Sequence, residues 1–247
     1  MKPGKKLYFA SDFHLGAPDR ESSALRERKL VQWLDSIKAD AEGIYLVGDV
    51  FDFWFEYKTV IPRGHVRLLG KLAELSDAGI DIHWFTGNHD MWIFDYIPNE
   101  LGIQLHRQPI RRNFEGKEFL IGHGDGLGPG DHGYKVIKRV FANPVCQFLF
   151  RWIHPDLGIR LARFWSGTSR TATTEERFLG ADKEFLMVFA NDYLKKEQVD
   201  YFIFGHRHLP LDLPLEPASR YINLGEWFNA PHYAVFDGNE LLFLKHA

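Results

Sequence analysis

With 247 residues, the chain is long enough for one large domain with a substantial core. Its net charge of −3 excludes a global attraction to nucleic acid or to an anionic membrane, so either partner would need a local patch. The single cysteine, Cys146, excludes an intrachain disulfide and a thiolate metal cage.

Near the start, Lys2, Lys5 and Lys6 precede an apolar run that covers only Leu7 to Ala10. A signal peptide needs a longer run, and no stretch approaches the length of a membrane span. The expectation is a cytoplasmic protein, with peripheral contact on the cytoplasmic face of the inner membrane left open. No Pro/Gly/Ser-rich linker interrupts the middle, which predicts a single domain over 1–247.

Short apolar runs recur along the chain, and each ends in a polar cluster. Leu7 to Ala10 leads into Ser11-Asp12-Phe13-His14, and Gly43 to Val47 into Gly48-Asp49. Ile80 to Phe85 leads into Gly87-Asn88-His89-Asp90, Phe119 to Ile121 into Gly122-His123, and Tyr201 to Phe204 into Gly205-His206-Arg207-His208. Runs of this length, rich in β-branched and aromatic residues and stopped by glycine, predict buried strands.

Between them, Ser22 to Lys38 and His65 to Asp77 place leucines on one helical face, and Glu175 to Lys196 reads as a longer amphipathic helix. Strands alternating with helices predict a layered α/β fold, an α-β-β-α sandwich. Ligands gather at the carboxyl ends of strands in such folds, so all five polar clusters are expected at one site. Ser219 to Leu224, His232 to Asp237 and Glu240 to Lys245 predict a C-terminal meander that closes a second sheet.

The clusters offer Asp12, His14, Asp49, Asn88, His123, His206 and His208. Carboxylate and amide oxygens suit hard cations, and imidazole suits iron, manganese and zinc. Period-two alternation would point Asp12 and His14, and likewise His206 and His208, the same way from an extended strand end. Glycines 48, 87, 122 and 205 allow tight turns and close approach of a phosphate to the backbone. A single histidine at a strand end is more often a packed or surface residue, which is how His65, His83, His106, His154, His232 and His246 read.

The ordered set Asp-x-His, Gly-Asp, Gly-Asn-His-Asp, Gly-His and Gly-His-x-His resembles the calcineurin-like metallophosphoesterase family. The resemblance implies two divalent cations, Mn²⁺ first with Fe or Zn as options. Asp12, His14, Asp49 and His208 would hold one, and Asp49, Asn88, His123 and His206 the other, with Asp49 bridging. Two such cations clamp phosphate oxygens and lower the pKa of a water for in-line attack. Beside Asp49, His89 reads as the catalytic residue that protonates the leaving oxygen or stabilises transition-state charge, with Asp90 orienting it.

Gly48-Asp49-Val50-Phe51-Asp52-Phe53-Trp54 and Gly122-His123-Gly124-Asp125-Gly126 are similar to the UDP-2,3-diacylglucosamine diphosphatase branch of that family. That branch implies a UDP-linked diacyl sugar as substrate, cleaved to UMP and a diacylated sugar phosphate in lipid A synthesis. One departure is His89, where the branch usually carries arginine. Asn88, His89, Asp131, Ser169, Arg170 and His206 are the substrate contacts the resemblance implies, and Asp131 reads equally as a helix cap.

Residues 128–174 interrupt the strand–helix rhythm and read as a helical lid. They interleave basic residues such as Lys138, Arg139 and Arg151 with Phe141, Phe148, Phe150 and Trp152. A basic, aromatic lid suits an amphiphilic anion and a membrane surface, whereas the plainer reading packs the aromatics on the core. Two alternatives remain at this level: a soluble phosphodiesterase or phosphomonoesterase acting on a nucleotide or other ester, and a non-catalytic binding scaffold. The absence of a long basic stripe argues against nucleic acid as a partner. Nothing in the sequence fixes the oligomeric state.

Overall fold

A computed structural model describes residues 1–130, 132–161, 177–178 and 180–246. Strands β1 (Lys6–Ala10), β2 (Ala41–Val47), β3 (Asp81–Phe85) and β4 (Gln104–His106) run parallel to one another. The hairpin β10 (His232–Phe236) and β11 (Leu241–Lys245) adds to β1 antiparallel, giving the order β11-β10-β1-β2-β3-β4. A second sheet has the order β5-β6-β7-β9-β8, built from Ile110–Phe114, Lys117–Ile121, Tyr201–Phe204, Ser219–Leu224 and Pro210–Leu215 respectively. Its central strands β6, β7 and β9 are parallel.

The strands alternate between two buried faces. In β1, Tyr8 and Ala10 pack toward the helices, whereas Leu7 and Phe9 pack between the sheets. In β7, Tyr201 and Ile203 face the first sheet, and Phe202 and Phe204 face the outer helix. Burial on both sides explains why these strands are continuous apolar runs in sequence. Helices α1 (Arg20–Ile37), α2 (Val66–Asp77) and α3 (Tyr96–Leu101) cover the first sheet. Helix α6 (Phe185–Leu194) covers the second, which completes the α-β-β-α sandwich. Helices α4 (His132–Phe141) and α5 (Pro144–Arg151), with a further helical segment over 155–161, form the described part of the expected lid.

Three expectations need correction. Helix α1 starts two residues earlier than its leucine pattern, because Asp19 caps it by accepting from the amides of Glu21 and Ser22 at 2.9 Å. The helix expected over 175–196 is only Phe185–Leu194 within the described residues. Gly180 at φ +104° and an extended Glu184 precede it, and the Glu184 carboxylate binds Arg207 Nε at 3.1 Å.

The C-terminal meander is split between the sheets. Only β9 joins the second sheet, while β10 and β11 extend the first. The crossing segment passes the candidate site, where the Trp227 amide donates to the Asp12 carbonyl at 3.2 Å.

Candidate metal centre

All five polar clusters lie just past the carboxyl ends of β1, β2, β3, β6 and β7, as expected. The local backbone differs from the expectation. Asp12, His14, Asp49, His206 and His208 have φ of 55°, 43°, 51°, 70° and 52°. These residues are left-handed, so pleat alternation does not aim them. For non-glycine residues such a backbone costs on the order of 1–3 kcal/mol each and persists only where surrounding structure enforces it. Here adjacent loops enforce it: the Asp12 amide donates to the Gly48 carbonyl at 3.1 Å, and the His14 amide to the Asp49 carbonyl at 2.9 Å.

The glycines also act differently from the expectation. At Gly48, Gly87 and Gly205 the absent side chain makes room for a metal donor, and at Gly122 for Pro109. A Cβ on Gly87 would stand 2.1 Å from Asp49 Oδ1, and one on Gly48 would stand 2.4 Å from His123 Nδ1.

The loops bring the seven expected ligands together in two overlapping groups. In the first, donor atoms of Asp12, His14, Asp49 and His208 lie within 4.8 Å of one another. His14 Nε2 is 3.0 Å from His208 Nε2, and His208 Nε2 is 3.2 Å from Asp12 Oδ1. In the second, Asn88 Oδ1 is 3.3 Å from His123 Nε2 and 3.0 Å from His206 Nδ1. Asp49 Oδ2 joins the groups, at 3.3 Å from His123 Nε2 and 3.8 Å from His14 Nε2.

Atoms bound to one cation at about 2.0–2.2 Å stand roughly 3.0–3.5 Å from each other, so the separations of 3.0, 3.2 and 3.3 Å match shared coordination, with Asp49 and His14 slightly wider at 3.8 Å. The donor set is mixed oxygen and imidazole nitrogen with no thiolate, which fits divalent manganese, iron or zinc. Asp12, His14, Asp49 and His208 would hold one ion and Asp49, Asn88, His123 and His206 the other.

The electrostatics agree with this reading. Burial alone would raise the Asp12 carboxyl, but hydrogen bonds from the His14 and His208 rings hold it well below the usual range. Burial would likewise raise the Asp49 carboxyl, but the charge of His123 beside it, foremost among its neighbours, holds it down. His123 is buried too, yet Asp49 draws a proton onto it and lifts it to about 10. His206 is pushed down to about 4 by burial and by His123. Two buried carboxylates held ionised beside adjacent imidazoles favour a cation between them.

The supporting residues depart from the sequence reading. Asp90 makes no hydrogen bond to His89. Its carboxylate accepts from the amides of Gly87 at 2.7 Å and Val50 at 3.0 Å, joining the loops that carry Asn88 and Asp49. Burial, with the nearby Asp49 charge, raises Asp90 to about 7. His89 instead places Nδ1 3.0 Å from the Asp52 carbonyl, so Nδ1 is the protonated nitrogen and Nε2 is the acceptor. The Asp52 carboxylate lies 3.7 Å from His14 Nδ1 and 3.6 Å from His89 Nδ1. The Asp49 carboxylate accepts the His89 amide at 2.8 Å.

Asp52 and Arg26 went unread in the sequence. Arg26 is 5% exposed, donates to the carbonyls of Phe13, His14 and Ala17, and lies 4.0 Å from the Phe228 ring centre. It fixes the turn that presents His14. Spacing gave a signal for Asp52, three residues after Asp49; nothing in the sequence pointed to Arg26. Asp131, Ser169 and Arg170 lie outside the described residues.

An α-β-β-α sandwich whose strands bring a mixed Asp/His/Asn cluster together at their carboxyl ends is the fold and candidate site of a metal-dependent phosphoesterase. The chain matches the family model for calcineurin-like phosphoesterases over residues 5–210 and belongs to that family. It is 40% identical to the UDP-2,3-diacylglucosamine hydrolase of Porphyromonas gingivalis, with 96% of each chain covered. It is 30% identical to the protein of the same name in Hahella chejuensis, again with 96% of each covered. Among solved structures it is similar to Yfce, a phosphoesterase from E. coli, at 16% identity and a TM-score of 0.46, covering 96% of this chain and 90% of that one.

Proposed function

We propose that this phosphoesterase hydrolyses the pyrophosphate of UDP-2,3-diacylglucosamine to UMP and 2,3-diacylglucosamine 1-phosphate. The observation that carries the lipid half is a cavity of about 290 Å³ beside the metal centre. Leu15 and Asp52 form its inner wall, Val60, Ile61 and Pro62 one side, and Ile159 of the helical insertion the other. Its apolar residues suit an acyl chain whose phosphate end reaches the metals, and Arg63, His65 and Asp156 also line it. The relatives that share nearly the whole chain carry the matching name.

When bound, two Mn²⁺ ions would supply Lewis acidity and a nucleophilic water at neutral pH. The chain's own contribution is positional. Asp12, His14, Asp49 and His208, with Asn88, His123 and His206, present their donors from loops locked to one another. His89 is pushed down to about 4 by burial, so it rests neutral, with Nδ1 donating to the Asp52 carbonyl. Its Nε2 takes the proton that the attacking water loses and passes it to the leaving phosphate oxygen as the P–O–P bond breaks. Asn88, His89 and His206, with Asp131, Ser169 and Arg170, are the substrate contacts of this reading.

The insertion also supports contact with a membrane surface on the cytoplasmic face. Val145, Phe148, Leu149 and Trp152 are 64%, 56%, 61% and 78% exposed, beside the exposed Arg139 and Arg151. Apolar side chains flanked by arginines match an anionic lipid interface. Among the described residues, no helix is long and apolar enough to cross a membrane. Phe141 and Phe150 instead pack inward on Trp92, so the aromatics of this segment divide between the two roles.

The test compares kcat/KM for UDP-2,3-diacylglucosamine with that for UDP-N-acetylglucosamine, which lacks the two long chains. Strong preference for the diacylated compound supports the proposal. Equal turnover of both, or turnover of bis(p-nitrophenyl) phosphate alone, assigns a soluble phosphodiesterase instead.

A further inference from the structure

The helical insertion is fastened at two points, and both fasteners sit on loops that carry ligands of the same metal. The first is Asp125, two residues past His123. Its buried Oδ2 accepts from Tyr134 Oη at 2.6 Å and forms an ion pair with Lys138 Nζ at 2.5 Å, and its carbonyl accepts from Lys138 Nζ at 2.9 Å. Tyr134 and Lys138 are four apart on α4, so one carboxylate grips one face of the helix.

The second fastener is Trp92, four residues past Asn88. Its Nε1 donates to the Phe141 carbonyl at 2.9 Å, at the end of α4, and its ring meets Phe141 and Phe150 with centroids 5.1 Å away in each case. Gln147 Nε2 donates to the same Phe141 carbonyl at 2.9 Å, which ties α5 to that junction.

We infer that Asp125 and Trp92 are positioning residues that fix α4 and α5 against the loops of Asn88 and His123, and so set the preference for a large substrate over a small one. A charge-assisted grip at one end of α4 and an aromatic socket at the other leave the helix one seat. That seat decides where the insertion's inner wall stands relative to the phosphate-binding atoms. A small diester needs only the metal loops, whereas an amphiphile needs the insertion in register as well. The substrate-size half of this inference rests on the lipid-nucleotide reading. The anchoring half does not.

The test changes the insertion rather than the ligand loops. Tyr134→Phe with Lys138→Met removes both donors to Asp125, Trp92→Phe removes the donor to Phe141, and Lys138→Arg serves as the conservative control. Amide hydrogen exchange over 132–151 is measured on the full chain, alongside bound metal, kcat/KM for bis(p-nitrophenyl) phosphate, and KM for UDP-2,3-diacylglucosamine.

The double variant should exchange at least about ten-fold faster in α4, the effect of losing a hydrogen bond to a charged group. It should raise KM for the lipid nucleotide by a similar factor. Metal content and small-diester turnover should stay at the wild-type level, and Lys138→Arg should restore most of the lipid KM. Unchanged exchange overturns the anchoring. Metal content and small-diester turnover that fall in step with exchange also overturn the inference, because the contacts then serve to hold His123. If wild type leaves UDP-2,3-diacylglucosamine intact, the proposed substrate falls, and faster exchange with unchanged small-diester turnover still upholds the anchors.

Discussion

The Asp52 carboxylate lies 3.7 Å from Nδ1 of His14, the ring nitrogen turned away from the other metal donors. That nitrogen is buried and has no hydrogen-bond partner among the described residues. A small shift of either side chain closes the contact and fixes the His14 tautomer with Nε2 bare for a cation. Histidines that bind metals donate their second nitrogen to a carboxylate or carbonyl in this manner, and loss of that partner typically costs about 10–100-fold in metal affinity or activity. Asp52→Asn should therefore weaken Mn²⁺ binding by about that factor, read by metal titration against activity. An unchanged titration would show that His14 is oriented without Asp52.

His89→Ala separates chemistry from metal binding. The His89 ring is held by the Asp52 carbonyl, whereas its backbone amide, which the substitution keeps, donates to Asp49. Two metals per chain should persist while turnover falls about 10²–10⁴-fold, the usual range for an acid–base residue. Loss of both metals in parallel with turnover would remove the role assigned to it.

Acid stability has a source outside the metal centre. His83 Nδ1 faces His106 Nε2 at 2.9 Å, and His83 Nε2 faces Asp81 Oδ2 at 3.1 Å. With His83 donating to Asp81, His106 donates to His83, an arrangement that a second proton between the rings would break. Burial, then the His83 charge, pushes His106 down to about 4, and burial lowers His83 as well. Between about pH 6.5 and 4 the unfolded chain therefore binds protons that the folded chain refuses, so stability declines as pH falls through that window. His106→Gln should flatten this limb in urea midpoints measured across the window. A slope as steep as wild type would contradict the assignment.

Much of the fold was legible because its central strands are buried on both faces. Phe9 beside Tyr8, and Phe202 beside Ile203, need apolar neighbours above and below, so the strands stand out as unbroken runs. Edge strands carry no such signal. In β8, Pro210 and Pro214 sit where a central strand would exclude them, and β5 carries Arg111, Arg112 and Asn113 in a row between Ile110 and Phe114.

The metal donors were readable from motif order, but not their backbone. No pattern of residue types announces that Asp12 and His14 turn left-handed, because the cause is hydrogen bonding to Gly48 and Asp49 some 36 residues on. Asp90 was misjudged for a similar reason. Its neighbour in sequence is His89, but its partners are the amides of Gly87 and Val50.

The most direct measurement is release of UMP from UDP-2,3-diacylglucosamine by the Mn²⁺-loaded protein, beside Asp49→Ala. Asp49 is the one residue that joins both donor groups, with Oδ2 3.3 Å from His123 Nε2 and 3.8 Å from His14 Nε2. The predicted result is stoichiometric UMP and diacylated sugar phosphate from wild type, and neither product nor a second bound metal in the variant. UMP release that survives in Asp49→Ala, or a wild type that leaves this substrate intact while cleaving a simple diester, would contradict the account.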